Sequence, residues 1–321
     1  MGKNLITGGA GFFGSYLARH LLGEGEEVIL FQRRDRLPPG AKDLEGKVKI
    51  CSGDISNWVH VLEAVKSHSV DCIYHSAALL TRDLERSAIL GFRVNIEGTI
   101  NVLEAARLLG VKDVIYVASG AIYGVSNPPP KVFADTPPNP QNMYTTTKWC
   151  SELLGVQYWR QYGINFRGIR YAMVVGPGRQ ISHFYGDWSG VIEKTALGKP
   201  YTIHSDPDCP CAYIYIKDAV RALVDLRKCP EKNLRQRVYN VHGFMATLRE
   251  VTAVIRRLIP EAQIHFDLDS SEAMKIANRG VSYEMDNRVA SEDFGYETQY
   301  PLEVMVEDFI REVRMGRAGE G

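Results

Sequence analysis

The chain predicts an α/β fold: a doubly wound parallel sheet with a smaller, partly interleaved C-terminal lobe. Three observations lead there. Short Val/Ile-rich runs alternate with stretches of helical periodicity as far as Gly176, the pattern of a parallel sheet whose strands are buried on both faces. The first run ends in Thr7-Gly8-Gly9-Ala10-Gly11-Phe12-Phe13-Gly14 and passes directly into an amphipathic stretch. Beyond Gly176 the rhythm changes, and Pro, Gly and His crowd the stretch up to Pro210.

In order, strands are expected at Lys3–Thr7, Glu27–Phe31, Val48–Cys51, Asp71–His75, Val114–Ser119 and Phe166–Tyr171. Helices are expected near Phe13–Gly23, Trp58–Ser67, Ile89–Leu109 and Tyr144–Tyr162. Right-handed crossovers then give a doubly wound sheet. The second part reads as helices near Trp188–Leu197, Lys217–Leu226, Leu248–Leu258 and Leu302–Val313, with short strands such as Tyr213–Ile216 and Val238–Val241 between them. The expected division is a dinucleotide-binding unit over 1–176 and a substrate lobe over 177–321, with a frayed tail from Arg317.

The 321 residues carry a formal net charge of zero, and 45% are hydrophobic. That supports a sizeable core and gives no general field for nucleic acid or an anionic membrane. No apolar run approaches the roughly 20 residues needed to span a bilayer. The N-terminus enters a strand at once, so no signal peptide is expected, and the six cysteines fit reduced thiols in a cytoplasmic protein. Cys209-Pro-Cys211 has no second pair or His cluster to complete a zinc site, so no metal is expected.

A strand, then Gly8-x-x-Gly11-x-x-Gly14, then a helix is the context that pyrophosphate binding requires. Gly8 makes the tight turn, Gly11 lets the backbone approach phosphate, and Gly14 permits close helix–strand packing at a helix N-terminus that favours negative charge. Phe12 and Phe13 fall within the same cofactor-binding turn. At the end of the second strand stands Gln32-Arg33-Arg34. An acid there would take the adenosine ribose hydroxyls. Gln32 removes that charge and Arg33 or Arg34 can pair with a 2′-phosphate, so NADP is favoured over NAD. Asp54 and Ile55 close the third strand, where the carboxylate can accept an adenine amino group or cap the next helix.

Tyr144 and Lys148 are spaced i, i+4 and project from one helix face. A phenol near its ordinary pKa of about 10 is a poor base. An adjacent ammonium and a positive nicotinamide ring lower it. Ser119, at the end of its strand, supplies a hydroxyl to orient a substrate oxygen. His75 reads as a core histidine with one hydrogen bond.

With these motifs the chain resembles the extended short-chain dehydrogenase/reductase family, the NAD-dependent epimerase/dehydratases of Rossmann type, from Asn4 to about Ile310. The resemblance rests on Thr7–Gly14, Gly53-Asp54-Ile55, His75–Ala78, Asn95–Thr99, Asn101–Ala106, Ser119–Gly124, Tyr144–Lys148, Arg170–Gly178 and Tyr213–Asp218. It implies that Ser119, Tyr144 and Lys148 are catalytic, that Lys148 also holds the nicotinamide ribose, that Ala77 and Ala78 line the cofactor, and that Asn95 supports the site. It also implies a homodimer through a four-helix bundle built from Asn95–Leu109 and Tyr144–Tyr162.

Departures from the family pattern narrow the reaction. Gly120 and Ala121 follow Ser119 where dehydratases and decarboxylases carry an acid, and Ala121 replaces the cysteine of 3,5-epimerising members. Met173 stands where nucleotide-sugar enzymes have Asn, and Cys211 where they have a diphosphate-binding Arg, although Arg179, Arg249 or Arg279 can substitute. Asp218–Ala222, Tyr239–Val241, Ile259–Glu261 and Ala290–Gly295 are similar to short-chain-type L-threonine dehydrogenases, which supports a small substrate without a nucleotide. Ser119, Tyr144, Met173, His183 and Trp188 are the expected substrate contacts, a Trp face with polar neighbours suiting a sugar-like ring. The expectation is an NAD(P)-dependent oxidoreductase acting on a secondary alcohol or ketone. The alternatives are a nucleotide-sugar 4-epimerase with tightly bound NAD and a non-catalytic NAD(P) sensor.

Overall fold

The computed structural model describes residues 2–124, 129–179, 186–267 and 281–317. The strands run β1 (Lys3–Thr7), β2 (Glu27–Gln32), β3 (Lys49–Ser52), β4 (Cys72–His75), β5 (Asp113–Ser119), β6 (Lys131–Val132), β7 (Asn165–Tyr171) and β8 (Met173–Val175). They continue with β9 (Tyr201–Ile203), β10 (Cys211–Tyr215), β11 (Val238–Val241), β12 (Phe244–Ala246), β13 (Ile264–Phe266) and β14 (Glu284–Met285). The main helices are α1 (Phe12–Gly23), α2 (Trp58–His68), α3 (Thr81–Arg86), α4 (Ala88–Gly91), α5 (Gly98–Leu109), α6 (Met143–Tyr162), α7 (Gly186–Ala196), α8 (Ile216–Lys228) and α9 (Leu248–Leu258). Two more helices, Arg288–Phe294 and Leu302–Glu312, follow.

Seven strands form the central sheet in the order β11-β7-β5-β4-β1-β2-β3, and every pairing is parallel. Successive side chains alternate between its two faces. Leu5, Ile29, Phe31 and Ile73 pack with α2 and α5 residues such as Val61, Val65 and Val102. Ile6, Val28, Leu30 and Tyr74 pack with α1 and α8 residues such as Leu17, Leu21 and Leu223. Helices on both faces give the doubly wound architecture that the alternating pattern predicts.

The chain crosses residue 176 in both directions. Strand β11 returns from the second half to lie beside β7. Strand β8, from the first half, joins β10 and β12 in a separate three-stranded sheet.

The helix expected over Ile89–Leu109 is interrupted. Residues Phe92–Glu97 form a π-helical segment between α4 and α5. Hydrophobic periodicity reads the whole stretch as one helix, because a single wide turn barely disturbs the pattern. The insertion matters for the site: the Asn95 carbonyl accepts the side-chain hydroxyls of Thr99 (2.5 Å) and Ser151 (2.9 Å).

Candidate active site

The turn after β1 is shaped for a close ligand. Gly8 adopts φ +68°, and a Cβ there would meet the Ala77 Cα at 3.0 Å. A Cβ on Gly14 would fall 2.6 Å from the Gly8 carbonyl oxygen and 2.8 Å from the Gly9 Cα. Helix α1 starts after Gly11 with no side-chain cap, so its first-turn N–H groups are left for an anion. Phe13 packs on Tyr171 with ring centroids 5.5 Å apart. The Arg179 guanidinium lies over the Phe12 ring at 5.9 Å.

Hydroxyls sew the neighbouring strand ends to this turn. Ser76 Oγ donates to the Thr7 carbonyl (2.7 Å), and the Ala77 N–H donates to Thr7 Oγ1 (3.2 Å). His75 is buried between Thr7 Oγ1 (2.7 Å) and Thr99 Oγ1 (2.9 Å). It makes two hydrogen bonds where one was expected. With the Thr99 hydroxyl proton committed to Asn95, the network assigns the imidazole proton to Nε2 and makes Nδ1 the acceptor. Burial, followed by the charge of Lys148, pushes His75 down to about 3, so it is neutral at physiological pH.

At the end of β2, Gln32 Nε2 donates to the carbonyls of Arg34 (2.9 Å) and Arg36 (3.2 Å), and its Oε1 is buried with no partner. Arg33 and Arg34 are exposed. Asp54 turns inward on its own loop. Its Oδ1 accepts from Ser56 N (2.9 Å) and Ser56 Oγ (2.7 Å), and Asn57 caps α2 instead. Burial acts to raise the Asp54 carboxyl, but these hydrogen bonds hold it below the usual range. Ile55 is buried and packs against Gly98.

Helix α6 is started by a reciprocal cap. Asn142 Oδ1 accepts Thr145 N (2.9 Å), and Thr145 Oγ1 accepts Asn142 N (3.2 Å). Such a cap is worth about 1 kcal/mol and holds Tyr144 in the first helical turn. Across from it, Ser119 ends β5 and its oxygen caps the following 3₁₀ turn by accepting Ala121 N (3.3 Å). Burial raises the Tyr144 phenol above its ordinary value, while a hydrogen bond with Ser119 and the charge of Arg179 act to lower it.

Lys148 is 4% exposed. Its Nζ donates to the Val117 carbonyl (2.5 Å) and lies 4.3 Å from the centre of the Tyr116 ring. Burial brings it down to about 7, against the opposing pull of Glu152. The sequence points to Lys148 as the cation acting on the phenol; the charge of Arg179 also acts to lower it. Asn95 ties the parts together: its amide bridges Leu79 N (2.8 Å), Leu79 O (3.1 Å) and Thr147 Oγ1 (2.9 Å). The segment after Ala77 and Ala78 is thereby fixed to the helix that carries Tyr144 and Lys148.

The remaining expected contacts distribute differently. Met173 is buried on β8 opposite Tyr213. Trp188 is 3% exposed and packs edge-on against Tyr213, with centroids 6.3 Å apart. It belongs to the core of the C-terminal lobe, which corrects the expectation of an open face for a sugar ring. Neighbouring Asp187 is occupied by Tyr201, His204 and Ser205. Cys211 is fully buried. Arg249 pairs with Asp208 (2.6 Å). His183 and Arg279 lie outside the described residues. A groove of about 490 Å³ lined by residues including Tyr16, Arg19, Lys217 and Tyr300 contains none of Ser119, Tyr144, Lys148 or Arg179. The sequence motifs include Tyr123 and Arg170 without a role for either, and Glu152 was missed although it stands one further turn along from Lys148.

Taken together, the close-packed glycine turn and the uncapped start of α1 suit the pyrophosphate of a dinucleotide. L-threonine 3-dehydrogenase of Sus scrofa is 29% identical over 308 residues, covering 94% of this chain and 80% of that protein. D-erythronate dehydrogenase of Cupriavidus necator is 31% identical over 270 residues, covering 80% and 82%. The solved structure of L-threonine dehydrogenase from Clostridium difficile superposes with a TM-score of 0.88 at 26% identity, over 99% of each chain. The profile of the NAD dependent epimerase/dehydratase family matches residues 4–241. The chain therefore belongs to this family of NAD-dependent enzymes, with the Rossmann-type fold of the extended short-chain dehydrogenases/reductases.

Proposed function

We propose that this enzyme is an NAD(P)-dependent dehydrogenase or reductase acting at a secondary alcohol or ketone of a small hydroxylated carboxylate. What supports this reading is Arg179, whose guanidinium lies 5.9 Å from the Phe12 ring of the glycine turn and whose charge acts to lower the Tyr144 phenol. An arginine is suited to a carboxylate through paired, charge-assisted hydrogen bonds. The two relatives above, a threonine and an erythronate dehydrogenase, are named for substrates of that class.

In this reading Ser119 donates to the substrate oxygen and Tyr144 takes or returns its proton. Lys148 holds the nicotinamide ribose and adds positive charge beside the phenol. Arg179 fixes the carboxylate, so that the reacting carbon is presented in one orientation. The first-turn N–H groups of α1 bind the pyrophosphate. A bound nicotinamide dinucleotide supplies the acceptor or donor of hydride. Gln32 places no carboxylate in the way of a 2′-phosphate, and Arg33 and Arg34 stand free to meet one, so the proposal extends to NADP. We further propose a homodimer through the apolar residues exposed on α4 to α6, among them Ile89, Phe92, Leu108 and Leu153.

The test is a mass-spectrometric inventory of nucleotides released from the denatured protein, followed by turnover with hydroxy acids, 3-hydroxy amino acids, polyols and nucleotide sugars. An empty site and coenzyme turnover with a carboxylate support the proposal. Stoichiometric NAD(H) and interconversion of nucleotide sugars, without net coenzyme turnover, replace it with a 4-epimerase.

A further inference from the structure

Helix α6 presents Tyr144, Lys148 and Glu152 at successive intervals of four residues, so one face carries a phenol, an ammonium and a carboxylate. The carboxylate is buried and is held on both oxygens. Arg170 Nη2 meets Glu152 Oε1 at 2.5 Å, and Arg170 Nε meets Oε2 at 3.0 Å. Arg170, on β7, is held in turn. Its Nη1 donates to the Tyr123 hydroxyl (2.5 Å) and to the Ala134 carbonyl (3.0 Å). Its guanidinium also lies 5.6 Å from the centre of the Trp149 ring. The Tyr123 hydroxyl continues to Asn240 Oδ1 (2.9 Å) on β11. Tyr123 closes the 3₁₀ turn that begins immediately after Ser119. A single buried hub therefore joins the proton-handling helix, the turn behind Ser119 and the edge strand of the sheet.

The hub's carboxylate stands one helical turn beyond Lys148 on the same face of α6. The groups around the ammonium are Tyr144 and Glu152 from its own helix, Tyr116 and the Val117 carbonyl from β5, His75 from β4, and Arg170 from β7 behind Glu152. Tyr116 and His75 are neutral over the physiological range, since burial lifts the first and lowers the second. Glu152 is the group whose charge favours the ammonium form. Its partner Arg170 engages both carboxylate oxygens from β7, and Glu152 lies one helical turn beyond Lys148 on α6.

We propose that Glu152 is a positioning residue for Lys148: its carboxylate, clamped by Arg170, which Tyr123 holds in turn, keeps the lysine charged and directed at the Val117 carbonyl. The proposal rests on the assignment of Tyr144 and Lys148 as the reacting face. It predicts a dependence that a purely structural ion pair would not show. Glu152→Gln preserves the shape, keeps one of the two hydrogen bonds from Arg170 and removes the charge, whereas Tyr123→Phe loosens the clamp and leaves the charge in place.

The experiment is NMR titration of the full-length protein with isotope-labelled lysine side chains, the Lys148 resonance being identified by its loss in Lys148→Met. In Glu152→Gln the Lys148 midpoint is expected to fall by about one pH unit; in Tyr123→Phe it stays within about a third of a unit of wild type. An unchanged midpoint in folded Glu152→Gln overturns the proposal. If that variant does not fold, Glu152→Asp decides. It keeps the charge but withdraws it by one methylene, so a smaller fall supports the proposal and no fall overturns it. The titration needs no turnover, so it answers for Glu152 separately from the catalytic reading, which fails on its own if Tyr144→Phe retains full activity.

Discussion

Ser119, at the C-terminal end of one strand, and Tyr144, in the first turn of one helix, act on each other: the Ser119 hydroxyl works to lower a phenol that burial raises. Neither is near the other in sequence. Strand β5 and the cap at Asn142 set their separation independently. A hydroxyl that orients an oxygen and a phenol that exchanges its proton need this approach and little else.

Removing either partner tests the pair. Tyr144→Phe is expected to lower kcat/KM by about a hundred- to ten-thousand-fold, and Ser119→Ala by a similar or smaller factor. Coenzyme affinity, followed by fluorescence titration, should change less than about threefold in Ser119→Ala. Retained activity in Tyr144→Phe would remove the phenol from the mechanism.

The charge of Arg179 acts to lower the phenol. Arg179→Met therefore raises the Tyr144 pKa, and the rising limb of the pH profile for alcohol oxidation moves to higher pH. The same change should raise KM for a carboxylate substrate about ten- to a hundredfold, the worth of a charged hydrogen bond. Kinetics across pH read both effects, and an unmoved limb with an unmoved KM would rule out this role.

Coenzyme choice is read at the end of β2. Gln32→Asp is expected to weaken binding of NADPH by at least about tenfold and to leave NADH equal or tighter. Arg33→Ala combined with Arg34→Ala should weaken NADPH alone. Calorimetric titration of each reduced coenzyme distinguishes the cases.

His75 makes the fold sensitive to acid. Its pKa is about 3 in the folded chain against 6.5 in the unfolded one. Between those values the unfolded chain holds a proton that the folded chain does not. Its contribution is thus fully present above about 6.5 and is lost as pH falls toward 3, at about 1.4 kcal/mol per pH unit. Denaturant unfolding of His75→Gln should show a pH slope reduced by about one proton in that window.

The proposed dimer has a direct test. Sedimentation velocity of the wild type should give about twice the 36.0 kDa chain mass, and Leu153→Glu with Phe92→Glu should give the monomer. A monomeric wild type at micromolar concentration would refute it.

Much of this was legible in the chain because it is local. The glycine turn, the spacing of Tyr144 and Lys148, and the order of buried strands are written in short windows where period and residue type carry the signal. The π-helical segment at Phe92–Glu97 was hidden, since helical periodicity continues through it. Trp188 was misplaced because its polar neighbours suggested an open loop, whereas Asp187 is taken up by the Ser205 and His204 backbone and the Trp ring packs on Tyr213. The Glu152–Arg170–Tyr123 hub joins residues far apart in sequence, and no window contains it.

Strand β11 gives the molecule a particular history of assembly. Tyr239 and its neighbours supply the last strand of the central sheet, beside β7. During synthesis, therefore, the nucleotide-binding half cannot close when its own residues have emerged from the ribosome. It waits with the row of backbone groups from Gly168 to Tyr171 bare, a template for any extended segment nearby. A fragment ending near Gly176 would inherit that adhesive edge permanently, so a separately expressed first half should be an aggregating species rather than a small soluble domain.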